Sequence, residues 1–228
     1  MTEDTRGPAP EKSRVVDPRP VVFADPAPLG LAGFALTTLL LSIVNTNLLK
    51  ETGAIFVVLG LAAFYGGLAQ FVAGLFEFRR GNTFGATAFG SYGAFWLSYW
   101  WIVPRLALGG DVHNAVGLYL LGWGIFTAFM AVAALRTTLA VLGVFVLLAP
   151  TFVLLAIGEF QGGAPPHVAT EIGGWFGIAT GLVAWYAAAA SVINETHGRE
   201  VLPTWPNRVP RTAAREHPTT EDPTAEQH

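Results

Sequence analysis

Neutral polar side chains are the groups that could do chemistry inside the long apolar stretches of this 228-residue chain. Thr37 lies in the first stretch, Gln70 in the second and Thr83 at the start of the third. Hydroxyl and amide groups donate hydrogen bonds to a carboxylate without a buried fixed cation. A helical threonine also bonds back to its own helix, so helix packing explains Thr37 or Thr83, taken alone, better than a binding site does.

Gln70 and Tyr92 are the strongest single candidates, because each has polar atoms that need partners. The Gln70 amide brings four hydrogen-bonding sites among apolar neighbours. It could join two helices or face a pore, and the sequence favours neither. Tyr92 lies deeper than the aromatic residues that anchor a helix at a membrane surface. A tyrosine hydroxyl buried at that depth requires a hydrogen-bond partner.

Ionisable side chains are missing from the middle of every apolar stretch. Glu77, Arg136, Glu159 and Glu171 lie at the predicted ends. This pattern argues against a relay of buried carboxylates and against a transporter built on a buried ion pair. It also argues against an intramembrane hydrolase or metalloprotease, because no His-rich metal motif or Ser/His/Asp set lies at depth. The sequence therefore predicts no enzymatic activity, no metal and no cofactor.

The elements that must position these side chains are membrane-spanning helices. Hydrophobic residues make up 52% of the chain and charged residues 13%, and the mean hydropathy is +0.48. A spanning helix needs about 20 mainly apolar residues. Six stretches qualify, at 29–49, 54–76, 84–103, 115–135, 139–158 and 172–193. Their short connections predict an all-α membrane protein, with six transmembrane helices in one compact bundle.

Charged residues concentrate at the two ends of the chain and in the connections. Residues 1–23 and 204–228 predict disordered tails around a six-helix transmembrane domain at 24–203. Of the 13 Lys and Arg residues, all but Lys50 and Arg105 fall in the tails and in alternate connections. This bias predicts a multi-pass plasma-membrane protein with both termini in the cytoplasm. The net charge of −3 gives no support for nucleic-acid binding.

Glycines recur at spacings that allow helices to approach closely. One set, spaced by seven residues, comprises Gly53, Gly60, Gly67 and Gly74. A second set, spaced by four, comprises Gly173, Gly177 and Gly181. Small residues at such spacings predict close helix contact within a bundle or an oligomer. Widening of a lumen is the alternative role, since glycine removes side-chain bulk there too.

A proline-rich motif stands at the start of the first span. It comprises Asp25, Pro26, Ala27, Pro28, Leu29, Gly30 and Leu31. Together with residues 64–96, which begin FYGGLAQFVAG, and 121–130, LGWGIFTAFM, the motif resembles the acetate uptake transporter family. That family includes the bacterial succinate–acetate permeases. Its motif begins with Asn where this chain has Asp25; either residue suits a helix cap, whereas a carboxylate could also repel an anion.

The resemblance implies a homohexamer in which each protomer carries its own path for acetate and, in some members, succinate. It implies a hydrophobic constriction formed by Phe34, Tyr92 and Leu148. The residues that it implies as substrate-facing are Thr37, Gln70, Asn82, Thr83 and Tyr92. Whether the path is a proton-coupled carrier or a channel stays open.

The predicted function is transport of acetate or similar small monocarboxylates across a lipid membrane, through a narrow neutral pore with a hydrophobic gate. Two alternatives stay open. The solute could be another small species, such as ammonia or a dicarboxylate. Alternatively, the chain could be a structural membrane protein whose glycines serve oligomer packing alone. The polar residues at depth, which packing does not require, count against the structural role.

Overall fold

Six long helices make up the computed structural model, which describes residues 24–51, 53–106, 112–162 and 167–206. The helices are α1 (Ala27–Asn45), α2 (Ala54–Arg80), α3 (Thr83–Leu106), α4 (His113–Ala134), α5 (Leu139–Gln161) and α6 (Val168–His197). Each overlaps one predicted span, so the all-α, six-helix architecture is confirmed. The predicted tail at 1–23 and residues 207–228 of the second tail lie outside the described residues.

Helix α3 differs from the other five in composition. Helices α1, α2, α4, α5 and α6 are long and apolar enough to cross a membrane. Helix α3 has 24 residues and is therefore long enough, but its Ser, Thr, Tyr and Trp residues lower its hydropathy. Its Tyr92, Phe95 and Trp96 side chains are all buried. The less apolar composition therefore places polar atoms in the interior of the bundle.

Local sequence signals set the ends of α1 and α6. The Asp25 carboxylate accepts a hydrogen bond of 2.9 Å from the backbone N–H of Ala27, which is the capping role that Asp favours. Helix α1 ends short of residue 49 because Asn47 turns the chain with a φ of 59°. Helix α6 extends past its predicted end to His197 and stops at Gly198, whose φ of 62° closes the helix in the left-handed conformation.

A π-helical turn, Phe64–Ala69, interrupts the middle of α2. Helix α1 approaches α2 closely at this turn. A Cβ atom at Gly33 would lie 2.6 Å from the Tyr65 carbonyl oxygen, and one at Gly66 would lie 2.6 Å from Thr37 Oγ1. Glycine is therefore required at both positions. A π turn inserts one extra residue into a helix, so the faces of α2 on either side of it are rotated relative to each other.

The helices pack around a ring in chain order, and α6 returns to contact α1. Among neighbouring pairs, α3 and α4 approach each other least through their backbones. Aromatic side chains fill the gap between them: the Phe95 and Trp123 ring centroids are 5.2 Å apart, and those of Tyr92 and Phe126 are 5.4 Å apart. The ring thereby encloses a central space bordered by α1, α3 and α5.

The glycine set on α6 packs this helix within the bundle. A Cβ atom at Gly177 would lie 2.9 Å from the Ser42 Cβ atom, and one at Gly181 would lie 3.1 Å from the Ala35 carbonyl oxygen. Both neighbours belong to α1. Close contact inside one protomer therefore accounts for this pattern.

The segment that follows α6 is described up to residue 206 and packs back onto the bundle. The Trp205 carbonyl oxygen accepts a hydrogen bond of 3.0 Å from the Leu139 backbone N–H. The Trp205 ring stacks on Tyr186 with a centroid distance of 5.9 Å. These contacts fix the segment after α6 against the start of α5.

Candidate solute pathway

Two cavities lie end to end within the ring of helices. Cavity A, of about 210 Å³, opens towards the end of the bundle that carries Arg80, and its lining comes from α1, α2, α3 and α5 with the connections beside them. Cavity B, of about 240 Å³, lies towards the opposite end, and its lining comes from α1, α3, α4, α5 and α6. Both volumes fall below the roughly 300–1,000 Å³ of sites for drug-sized ligands. The cavities therefore suit small solutes.

Phe34 and Leu148 separate the two cavities. Each lines both cavities, and each is almost fully buried, at 4% and 3% exposure. Tyr92 lines cavity A beside them, with its ring centroid 5.6 Å from that of Phe34. The three residues implied as a constriction thus meet at the junction. All three side chains are uncharged, and two of them are purely apolar.

The hydroxyl of Tyr92 is bonded to the protein rather than free in the cavity. It lies 2.9 Å from Thr127 Oγ1 on α4. The Thr127 hydroxyl donates its own hydrogen to the Trp123 carbonyl oxygen at 2.7 Å, so the Tyr92 hydroxyl must be the donor in this pair. Tyr92 therefore presents its ring to cavity A while its polar atom ties α3 to α4.

Gln70 is buried in the lining of cavity A. It follows the π turn of α2 directly and is 1% exposed. Its Oε1 atom makes no hydrogen bond within the described part of the chain. A buried polar atom without a partner is rare and costly in proteins. Gln70 therefore has an unused acceptor at the cavity wall.

Glu77 also lines cavity A, although the sequence placed it only at the end of a span. It is fully buried, and neither carboxyl oxygen makes a hydrogen bond among the residues described. A Cβ atom at Gly85 would lie 2.8 Å from the Glu77 Cδ atom. The glycine therefore leaves room for the carboxyl group. Hydropathy does not report this burial, because it depends on Gly85 of the neighbouring helix α3.

The proline-rich motif forms part of the mouth of cavity A. Asp25, which precedes α1, pairs with Arg80 at the end of α2. Their side chains are 33% and 37% exposed respectively. Ala27 and Leu31 line the cavity, whereas Leu29 is exposed on the outside of the bundle. The charge of Asp25 is thus balanced by a cation that sequence reasoning did not assign to it.

The remaining candidate residues divide between the cavity and the scaffold. Asn82 lines cavity A, and its Oδ1 atom accepts a hydrogen bond of 3.1 Å from the Gly85 N–H. Thr37 is buried but lines neither cavity; its hydroxyl donates to the Gly33 carbonyl oxygen at 2.8 Å. Thr83 is exposed and lines neither cavity. The structure therefore groups Asn82 with Gln70 and leaves the two threonines outside.

Cavity B has its own polar groups near the end away from Arg80. Glu159 lines it and lies 3.0 Å from His113 Nδ1. Ser98 Oγ lies 2.6 Å from the Tyr119 hydroxyl, and Ser98 also donates to the Phe95 carbonyl oxygen at 2.8 Å. Thr38 and Trp96 also line this cavity, and the Thr38 Oγ1 and Trp96 Nε1 atoms are buried without a hydrogen-bond partner among the described residues.

Known proteins match most of the chain. The model of the GPR1/FUN34/yaaH family matches residues 10–207. The chain is 45% identical over 185 residues to the succinate-acetate/proton symporter SatP of Escherichia coli strain K12, covering 79% of this chain and 95% of that protein. It is 39% identical over 196 residues to acetate permease A of Emericella nidulans, covering 79% and 65%. It is 44% identical over 184 residues to ammonia transport outward protein 2 of Saccharomyces cerevisiae, covering 77% and 64%.

A solved structure matches the fold as well as the sequence. The bacterial acetate channel SatP superposes with a TM-score of 0.72 at 42% identity, covering 80% of this chain and 99% of that one. The family model spans well over half of the residues. The family resemblance found in the sequence motifs is thereby confirmed. The chain belongs to the GPR1/FUN34/yaaH family.

Proposed function

We propose that this protein carries acetate and related small carboxylates across a membrane through cavities A and B. The names of the relatives favour transport over catalysis: one is a succinate-acetate/proton symporter, one an acetate permease and one an acetate channel. The bundle of apolar helices supports the same class of function.

The observation that carries the proposal is the junction of the two cavities at Phe34 and Leu148. Apolar side chains at a narrow junction exclude water and resist the passage of ions. A solute crosses when these side chains and the Tyr92 ring move apart. The small volumes on either side favour a solute of a few heavy atoms.

The described lining of the path contains no cation that would hold an anion tightly. Neither cavity lining includes a Lys or Arg side chain among the described residues. A fixed cation would bind a carboxylate tightly and slow its release. Amide groups such as those of Gln70 and Asn82 can donate hydrogen bonds to a carboxylate without slowing its release.

The charges of the chain and its family support a proposal for its location and assembly. We place it in the plasma membrane with both termini in the cytoplasm, because the Lys and Arg residues favour one side of the bundle. Cavity A then faces the cytoplasm. We further propose a homohexamer with one path in each protomer, surrounded by lipid. The exposed apolar side chains on the outer surface, such as Phe56 and Phe64, are available to lipid or to neighbouring protomers.

Uptake of labelled acetate into proteoliposomes tests the function and the site together. We expect saturable uptake above that of protein-free liposomes. Gln70→Ala removes an amide that bonds a charged solute, a contact worth about 1.5–3 kcal/mol, so the apparent affinity should fall at least about tenfold. Tyr92→Ala removes a ring from the junction and should raise the flux. Leu182→Ala trims an exposed leucine that lines neither cavity and is the control.

Three outcomes separate the alternatives. Wild-type uptake in both Gln70→Ala and Tyr92→Ala would refute the assignment of these residues. Stronger competition by succinate or by methylammonium than by unlabelled acetate would identify a dicarboxylate or an ammonia-like solute instead. Absence of any flux above protein-free liposomes would favour a structural protein.

A further inference from the structure

Glu77 is the one acidic side chain buried in the part of the chain that the structure describes. The other acidic residues of the described segments are all at least partly exposed. Burial of an ionised carboxylate without partners is very costly, and such groups bind a proton instead. The location of Glu77 in the wall of cavity A therefore gives the path a proton-binding group.

The cation that the structure describes beside Glu77 is engaged by another carboxylate. The charged groups near it are Arg80, on its own helix, and Asp25, which precedes α1. These two pair with each other. The lining supplied by α3, α5 and their preceding connections includes Asn82 and Thr137 but no acidic or basic side chain. The Asn82 side-chain amide lies against the carboxyl group as a polar neighbour, but neither carboxyl oxygen has a hydrogen bond of regular geometry among the described residues.

Gln70 and Glu77 form a pair on the wall of cavity A. They are seven residues apart within the regular helical part of α2, Gln70–Arg80, so they lie on the same face. Both have buried oxygen atoms without partners among the described residues. A protonated Glu77 presents an O–H donor and Gln70 presents an N–H donor, which together can bind the two oxygens of a carboxylate. An ionised Glu77 offers only acceptors and repels the same solute.

We propose that Glu77 is the proton-binding residue of the pathway, and that a carboxylate solute occupies cavity A only while Glu77 is protonated. Glu77 takes its proton from the bulk solution through the open end of cavity A and keeps it while the solute accepts a hydrogen bond from the carboxyl O–H. The solute gains a hydrogen-bond donor. The site then holds one negative charge, that of the solute, instead of two, those of the solute and an ionised Glu77. This inference rests on the proposed transport function.

The dependence of acetate flux on pH tests the proposal. Proteoliposomes are assayed between pH 5.5 and 7.5 at a constant concentration of acetate anion, and the flux of protein-free liposomes is subtracted. A single required proton makes the flux fall with rising pH, by up to about tenfold per pH unit. In Glu77→Gln the amide keeps a donor and cannot titrate, so the flux should change less than about twofold across the range. Glu171→Gln, a partly exposed carboxyl outside both cavities, should behave as the wild type.

Infrared difference spectroscopy provides a readout that does not depend on flux. The purified wild type should show the C=O band of a protonated carboxyl that shifts on addition of acetate and is absent from Glu77→Gln. Should Glu77→Gln fail to fold, Glu77→Asp replaces it; the retained carboxyl should keep both the pH dependence and the acetate-sensitive band.

The possible failures are distinguishable. If the wild type transports acetate and Glu77→Gln shows the same pH dependence as the wild type, the inference is overturned. The proposed transport function is then unaffected. A wild type without an acetate-sensitive carboxyl band also overturns the inference. A wild type that transports no acetate but shows this band refutes only the proposed function. If Glu77→Asp transports acetate at a rate that does not change with pH and shows no acetate-sensitive carboxyl band, the inference is again overturned.

Discussion

Replacing Tyr92 by Phe separates the two roles that a tyrosine at the junction could have. The substitution removes the hydroxyl and keeps the ring. In the structure the hydroxyl donates to Thr127 at 2.9 Å, and the ring faces cavity A near Phe34. We therefore expect Tyr92→Phe to weaken the bundle slightly and to leave acetate transport within about twofold of the wild type, because the junction keeps its apolar ring.

The size of the stability loss follows from the bond that is removed. Hydrogen bonds between membrane helices contribute about 0.6 kcal/mol on average, and up to about 1.7 kcal/mol. Thr127 keeps its bond to the Trp123 carbonyl oxygen, so no buried donor is left without a partner. The loss should therefore be near about 0.6 kcal/mol, which lowers the melting temperature of a chain of this size by about 1–3 °C.

A double-mutant cycle in detergent measures this bond directly. Tyr92→Phe is combined with Thr127→Val, and the coupling free energy should be near about 0.6 kcal/mol. Thr180→Val is the matched control. Thr180 is likewise buried and donates to the Phe176 carbonyl oxygen at 2.8 Å, but it has no tyrosine partner in the described structure and should show no coupling. Loss of most saturable acetate uptake in Tyr92→Phe at unchanged melting temperature would refute the reasoning and make the hydroxyl a solute ligand.

Two further substitutions probe the scaffold and the mouth. Gly74→Ala places a methyl group 2.8 Å from the Gly90 Cα atom and should cost about 1–3 kcal/mol. Gly60→Ala, whose added carbon would have no described atom within 4 Å, should be neutral or slightly stabilising. Equal melting temperatures for the two variants would contradict this expectation. Asp25→Asn keeps an oxygen for the helix cap but leaves Arg80 without its counter-ion. Since both side chains are a third or more exposed, stability should change by less than about 1 kcal/mol. Acetate flux should rise at low ionic strength and return to the wild-type value in high salt; a gain that persists in high salt would contradict this origin.

The number of helices could be predicted from the sequence because the membrane requires long apolar runs. Their ends were less certain, because polar residues can extend a helix beyond the apolar part. Helix α6 continues through polar residues to Gly198 for this reason, whereas α1 stops early at the turn around Asn47. Hydropathy reports neither kind of end.

The direction of side chains could be predicted less well than the position of the helices. Apolar residues cover every face of a membrane helix, so the usual periodicity that marks the buried face is weak. Thr37 and Gln70 both read as polar residues at depth, yet only Gln70 lines a cavity. The sequence placed Glu77 only at the end of a span, and the structure buries it. Depth along a helix is encoded in hydropathy, whereas the side that faces the path depends on neighbouring helices.

The π turn of α2 explains why the seven-residue glycine spacing gave no single packing face. In a regular helix, at about 100° per residue, positions 60 and 74 would lie within about 40° of each other. In the structure Gly60 is exposed, whereas Gly74 packs against Gly90 of α3. One inserted residue in the π turn rotates the remainder of the helix by about 100°, and that rotation accounts for the difference. The same rotation orients the helical segment Gln70–Arg80, whose buried Gln70 and Glu77 both line cavity A. The turn that breaks the glycine pattern is therefore also what directs the two unpaired polar groups of α2 into the path.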